Sequence, residues 1–151
     1  NSTWSPDGRY LVFARAEARD PRPPGSTLAT HANDPNEVQL RYDLYRIPFN
    51  EGRGGQAEPI RGASGNGMSN SFPKISPDGG WIAFSGDYAG NTDVYVIPAE
   101  GGEPKRLTWH PGADTVQGWP HDGKAIMFAS SRATWAPSGA PRFWTVAAEG
   151  A

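Results

Sequence analysis

Asp87, Asn91 and Asp93 carry oxygen donors at alternate spacings in the stretch Asp87-Tyr-Ala-Gly-Asn-Thr-Asp93, loosely the pattern of a loop that wraps calcium. The stretch lacks the bidentate glutamate and the full ligand order of an EF-hand. The competing reading is a strand-connecting turn in which Asp87 and Asn91 satisfy backbone amides. Histidine offers less. No two of His31, His110 and His121 lie at i, i+4 or in a His-x-x-Glu-type spacing, so no zinc site is expected. His110 precedes the loop Pro111-Gly-Ala-Asp114, from which a Ser/His/Asp grouping would have to be assembled, and no Gly-x-Ser-x-Gly elbow accompanies it. With no cysteine there is no thiol nucleophile, thiolate metal site or disulfide, and the compartment stays open. The expectation is a chain without catalytic residues, metal or cofactor. Trp109, His110, Asp114 and Arg132 are its candidates for contact with a peptide or protein partner.

A repeat must position those residues. Trp4-Ser-Pro-Asp-Gly-Arg-Tyr-Leu-Val-Phe13 returns as Ile75-Ser-Pro-Asp-Gly-Gly-Trp-Ile-Ala-Phe84 and as Trp119-Pro-His-Asp-Gly-Lys-Ala-Ile-Met-Phe128. Asp-Gly suits a tight hairpin because glycine takes positive φ without steric cost and aspartate tolerates it. His121 replaces the proline of that phrase and is expected to sit in the hairpin approach. A second phrase follows each first one: Asp43-Leu-Tyr-Arg-Ile-Pro48, Asp93-Val-Tyr-Val-Ile-Pro98 and Phe143-Trp-Thr-Val-Ala-Ala148, each starting 50 residues after the last. Pro48 and Pro98 cannot donate a ladder hydrogen bond and should end their strands. A third phrase, Gly54-Gly-Gln-Ala-Glu-Pro-Ile60, returns as Gly101-Gly-Glu-Pro-Lys-Arg-Leu-Thr108. Each full unit thus supplies four strands, and four antiparallel strands in ~40–50 residues make the blade of a β-propeller.

The expected fold is therefore all-β, a propeller segment of about three four-stranded antiparallel blades with the last one incomplete. Blade one runs over about 1–62 with an insertion at 17–41, blade two over about 71–109 and blade three over about 114–151. The insertion Glu17–Arg41 is stiff and turn-rich through Asp20-Pro-Arg-Pro-Pro-Gly25 and Asn33-Asp-Pro-Asn36, and reads either as a cap or partner contact or as a surface excursion. The glycine-rich loop Ala63–Ser71 lacks the Gly-Lys-Ser/Thr of a phosphate cradle. Trp4, Trp81, Trp119, Phe13, Phe84 and Phe128 recur at repeat positions and are expected to be core between blades. Trp109, Trp135 and Trp144 are also read as core, with a place on a binding rim as the alternative for Trp109.

Composition fits this fold. The hydrophobic residues make up 36% of the chain, and 19 glycines with 15 prolines meet the demand of a propeller for turns. A net charge of −2 with mixed signs gives no nucleic-acid footprint. No run of 18 apolar residues predicts a membrane span, and the first residues lack the charged start and apolar core of a signal peptide. Three blades do not close a ring of four to eight. The chain is read as a fragment of a longer propeller because both ends fall inside repeats; the alternative is a homodimer of two half-rings completing six blades.

Ser76-Pro-Asp-Gly79, Ile82-Ala-Phe84, Asp93-Val-Tyr-Val-Ile-Pro98 and Gly101-Gly-Glu-Pro-Lys-Arg-Leu-Thr108 together resemble the WD40-like (PD40) repeat of the TolB and tricorn propellers. Residues 72–151 are most similar to the amino-terminal propeller of tricorn-type peptidases, through Phe84–Tyr95, Arg106–Asp114, Phe128–Arg132 and Arg142–Val146. Residues 1–80 are more similar to TolB-like repeat proteins, through Ala32–Glu37, Tyr42–Asn50 and Asn66–Pro73. Two relatives joined near a shared phrase are what recombination between repeats, an assembly error or a designed join would leave. The resemblance implies a non-catalytic module that binds or gates peptides or proteins through rim loops or a central channel. For tricorn-like relatives it implies a cytoplasmic serine peptidase whose nucleophile and base lie in later domains, so no residue here inherits them. For TolB-like relatives it implies a periplasmic protein-binding propeller.

Overall fold

Each Asp-Gly phrase folds as a turn that the aspartate itself closes. Ser5 Oγ donates to Asp7 Oδ1 at 2.6 Å, the Arg9 N–H donates to the same oxygen at 3.0 Å, and the Tyr10 N–H donates to Ser5 Oγ at 3.0 Å. The second turn repeats the set through Ser76, Asp78, Gly80 and Trp81 at 2.6, 3.0 and 2.9 Å. In the third, Pro120 stands in the serine's place and has no hydroxyl, so the Lys124 N–H to Asp122 bond at 3.0 Å closes the aspartate side alone. The glycines that follow have φ of 70°, 77° and 65°, a region that other residues enter only at a cost.

The serine hydroxyl first, and the backbone N–H after it, hold the Asp7 and Asp78 carboxyls below the usual carboxylate value of 3.8. A carboxyl whose pKa is depressed in the fold contributes stability that is present above its unfolded value and is lost as pH falls through the folded one. Ser76→Ala is therefore expected to cost about 1 kcal/mol at neutral pH. The gap between variant and parent should narrow below pH ~4 as Asp78 protonates in both. Urea midpoints at neutral and acid pH check this; a gap that stays constant would sink the assignment.

These turns join the first two strands of three antiparallel sheets in a computed structural model that describes residues 1–16, 23–30, 36–38, 40–132 and 140–148. Blade one holds β1 (Ser2–Trp4), β2 (Tyr10–Ala16), β3 (Tyr42–Pro48) and β4 (Glu58–Pro59). Blade two holds β5 (Asn70–Ile75), β6 (Trp81–Gly86), β7 (Asp93–Pro98) and β8 (Lys105–Arg106). Blade three holds β9 (Asp114–Gly118), β10 (Ala125–Ser130) and β11 (Arg142–Ala147). Strand order follows chain order within each sheet. β3 and β7 end on their prolines, and Pro73 in β5 is accommodated by a shift of register between Ser71 and Lys74. Among the described residues the structure is all-β apart from a single 3₁₀ turn at Asn50–Gly52. It is a partial propeller.

The ladder corrects one repeat alignment. Asp93 opposes Gly86, and Arg142 opposes Ser130. The third copy of the second phrase therefore starts at Arg142, one residue before Phe143, and Trp144 takes the place of Tyr95.

Two cores lie between the blades. Val12, Leu44, Ile60 and Ala63 of blade one and its following loop meet Ile75, Ile82, Phe84, Tyr95 and Ile97 of blade two. Ala83, Val94 and Val96 on the other face of blade two meet Val116, Ile126 and Phe128 of blade three. Gly62 permits the first of these, because a Cβ there would lie 1.8 Å from the Gly102 carbonyl oxygen. The repeated aromatics divide accordingly. Phe84 and Phe128 are buried, whereas Phe13, Trp81 and Trp119 are half-buried and Trp4 is 54% exposed. Trp4 and Phe13 lie on the face of blade one turned away from blade two, so the expectation that all six are core fails there. Trp109 and Trp144 are exposed as well, against the core reading, and Trp135 lies outside the described residues. His31 and parts of the insertion at 17–41 and of the loop at 133–141 also lie outside them.

Candidate functional site

The ends of the strands opposite the Asp-Gly turns form a second rim, and every candidate residue sits on it. Asp93 opens β7 and is fully buried. Arg106, from β8, donates through Nη2 to Asp93 Oδ2 at 2.7 Å and through Nε to the Thr108 carbonyl at 2.7 Å. Thr108 Oγ1 donates to Asp93 Oδ1 at 3.3 Å and accepts the Val94 N–H at 2.9 Å. Burial is the largest influence on the Asp93 carboxyl and lifts it above the usual value, against Arg106 and Thr108; the nearby Asp114 pushes the same way as burial. The Arg106 guanidinium also lies 5.8 Å from the centre of the Trp109 ring. That ring stands in the loop after β8 with 68% of its surface exposed.

Asp114 opens β9 and is likewise fully buried. Arg132 pairs with its Oδ2, holds Ser130 Oγ at 3.1 Å, and lies over the rings of Phe128 and Trp144 at 4.8 and 5.7 Å. Asp114 Oδ1 is buried with no hydrogen-bond partner among the described residues. His110 Nδ1 accepts the Gly112 N–H at 2.9 Å, and its carbonyl accepts Asn91 Nδ2 at 2.7 Å, which ties loop 87–92 to loop 107–113.

The side chains of the calcium-like stretch are each engaged elsewhere. Asp87 Oδ1 accepts the Ser69 N–H at 2.7 Å, Asn91 faces His110, and Asp93 faces Arg106. No group of three or more His, Asp or Glu side chains among the described residues could hold a metal ion. What the rim does bring together is Trp109, His110, Asp93 with Arg106, and Asp114 with Arg132.

Blade two carries a neutral counterpart of the last pair. Asn70 opposes Gly86 as Asp114 opposes Ser130, so Tyr88 and Arg132, each two residues past those partners, are equivalent. The Tyr88 hydroxyl donates to Asn70 Oδ1 at 2.5 Å, and Asn66 Nδ2 donates to the hydroxyl at 2.9 Å. Burial pushes the Tyr88 phenol up to about 12. Asn70, Tyr88 and Arg106 were not singled out as site residues from the sequence. Stacking the repeats on their ladder register, rather than on their phrases, is the signal that finds the first two.

A family model for the tricorn protease N-terminal beta propeller domain matches residues 38–151. The chain belongs to that family. The tricorn-type propeller here is 33% identical over 129 residues to tricorn protease homolog 1 of Streptomyces coelicolor, covering 82% of this chain and 11% of that one. It is 31% identical to the Tol-Pal system protein TolB of Bordetella pertussis over 98% of this chain and 27% of that protein. Among solved structures it is similar to TolB from Acinetobacter baumannii, with a TM-score of 0.58 at 18% identity over 99% of this chain and 30% of that one. That last likeness speaks to fold. The family match over residues 38–151 and these relatives support both the tricorn-like and the TolB-like resemblance.

Proposed function

We propose that this propeller segment is a non-catalytic module that binds or gates peptides or proteins through the rim carrying Trp109. The observation that carries the reading is the tryptophan itself, a large ring presented to solvent and packed beneath a guanidinium that a buried carboxylate holds in place. A rigid aromatic beside an ordered arginine is the residue chemistry of binding hot spots. The family match and the 33% identity to a tricorn protease homolog favour peptides as ligands, with this chain as an accessory propeller of a tricorn-like serine peptidase whose chemistry lies in another domain.

Trp109→Ala is expected to weaken binding to a panel of unstructured peptides by tenfold or more, about the 1.4 kcal/mol or above that such anchors supply. The thermal midpoint should barely move, because the ring is exposed. Calorimetric titration of parent and variant checks this, and equal affinities would remove the rim from the reading.

A further inference from the structure

The first strands of blades two and three carry the same bulge in opposite settings. In blade two the ladder sets Ser71 opposite Ser85 and Lys74 opposite Ala83, so Phe72 and Pro73 together face Phe84. In blade three Val116 lies opposite Phe128 and Gly118 opposite Met127, and Gln117 is the additional residue. The stretches Asn70–Asp78 and Asp114–Asp122 are equally long. Phe72 therefore corresponds to Val116, and Pro73 to Gln117. Their burial is exchanged. Val116 is buried and Gln117 exposed, whereas Pro73 is buried and Phe72 is 37% exposed.

Blade two takes the strained setting. Phe72 has a φ of 52°; among the described residues the other non-glycines with positive φ, Asn50 and Glu51, lie in the 3₁₀ turn rather than in a strand. An aromatic residue in that region crowds its own backbone, and a residue before proline is pressed toward the extended region as well. The fold thus holds a costly conformation that turns a ring outward, where the next blade buries an aliphatic side chain without positive φ. Bulges re-aim side chains in this way beside binding sites. Both flanks of the strand are occupied, because β5 lies against β1 on one side and β9 on the other. These three are the first strands of their sheets, so Phe72 stands on the axial side of the propeller. It lies two residues in from Asn70, at the rim that carries Trp109.

We propose that Phe72 is a ligand-contact residue that receives an apolar side chain of an extended peptide entering from this rim, an inference that rests on the peptide-binding reading above. A phenyl ring offers no hydrogen bond, so its partner is an aliphatic or aromatic group. Trp109 then supplies affinity for peptides in general, and Phe72 the preference for an apolar one.

Calorimetric titration tests this with short unstructured peptides that carry a central leucine, each paired with the same peptide carrying serine there. The parent should prefer the leucine peptides by about tenfold. Phe72→Val with Pro73→Gln writes the blade-three setting into blade two. It should keep the parent's β circular dichroism and an unfolding midpoint no lower than the parent's, while the preference disappears. Phe72→Asn, whose short side chain tolerates positive φ, should lose the preference too. Phe72→Tyr keeps the ring and should keep the preference. Trp109→Ala should weaken both peptides of a pair alike and leave their ratio unchanged. A preference that survives loss of the ring would overturn the inference and leave the Trp109 reading standing, as would a parent that binds both peptides of each pair equally. A double variant that unfolds well before the parent would remove the strain argument. A parent that binds neither peptide would overturn both readings together.

Discussion

Phe84→Ala is expected to cost about 3–5 kcal/mol, a large share of the ~5–15 kcal/mol that holds a domain of this size together. The ring is fully buried between blades one and two, stacked on Tyr95 at 5.8 Å and tilted against Tyr88 at 6.3 Å. Its neighbours come from paired strands on both sides, so little of the resulting cavity can collapse. Urea unfolding should show a lowered midpoint with an unchanged slope; a loss under ~1 kcal/mol would mean that this core is not packed as described. Phe13→Ala, at the same repeat position, is the internal control. Its ring is half-buried against Tyr45 at 6.1 Å on a face that no other blade among the described residues covers, and the loss should be markedly smaller.

Arg132→Tyr is expected to cost about 3 kcal/mol, the lower end for breaking a buried ion pair because the guanidinium itself reaches solvent. The damage is to the partner. Asp114 is fully buried and already has one oxygen without a hydrogen bond, so losing Arg132 leaves its charge uncompensated. Adding Asp114→Asn should recover most of that loss, because the double variant writes the Asn70–Tyr88 pair of blade two into blade three. A double-mutant cycle on urea midpoints measures the coupling, and strict additivity of the two changes would show that the pairs are not equivalent.

Most of the fold was legible because turn chemistry and proline are local signals. Asp-Gly, the two strand-ending prolines and the alternating runs each state their own geometry within a few residues. Burial of the aromatics was not local. Phe84 and Trp4 belong to the same motif, and which of them is covered depends on whether a neighbouring blade lies on that side. The candidate rim was half legible. Trp109, His110, Asp114 and Arg132 stood out as residues, but the partners that fix them come from other strands. Asp93, in the sequence only one of three oxygen-bearing residues at alternate spacings, is held by an arginine that lies 13 residues on in the chain and closes on it across the β7–β8 ladder. The serine of the Ser-Pro-Asp-Gly phrase was read as part of a motif without its role as the aspartate's hydrogen-bond donor.

The unequal connections between the second and third strands set an order of events when the chain folds. Residues 87–92 join β6 to β7, whereas residues 17–41 must be looped out before β3 can pair with β2. Closing the longer loop costs about 1 kcal/mol more chain entropy, so blade two should form first. It is also the blade with a neighbour on either face. The middle of the chain is then the template on which both ends condense, and substitutions there should slow folding where those in blade one mainly hasten unfolding.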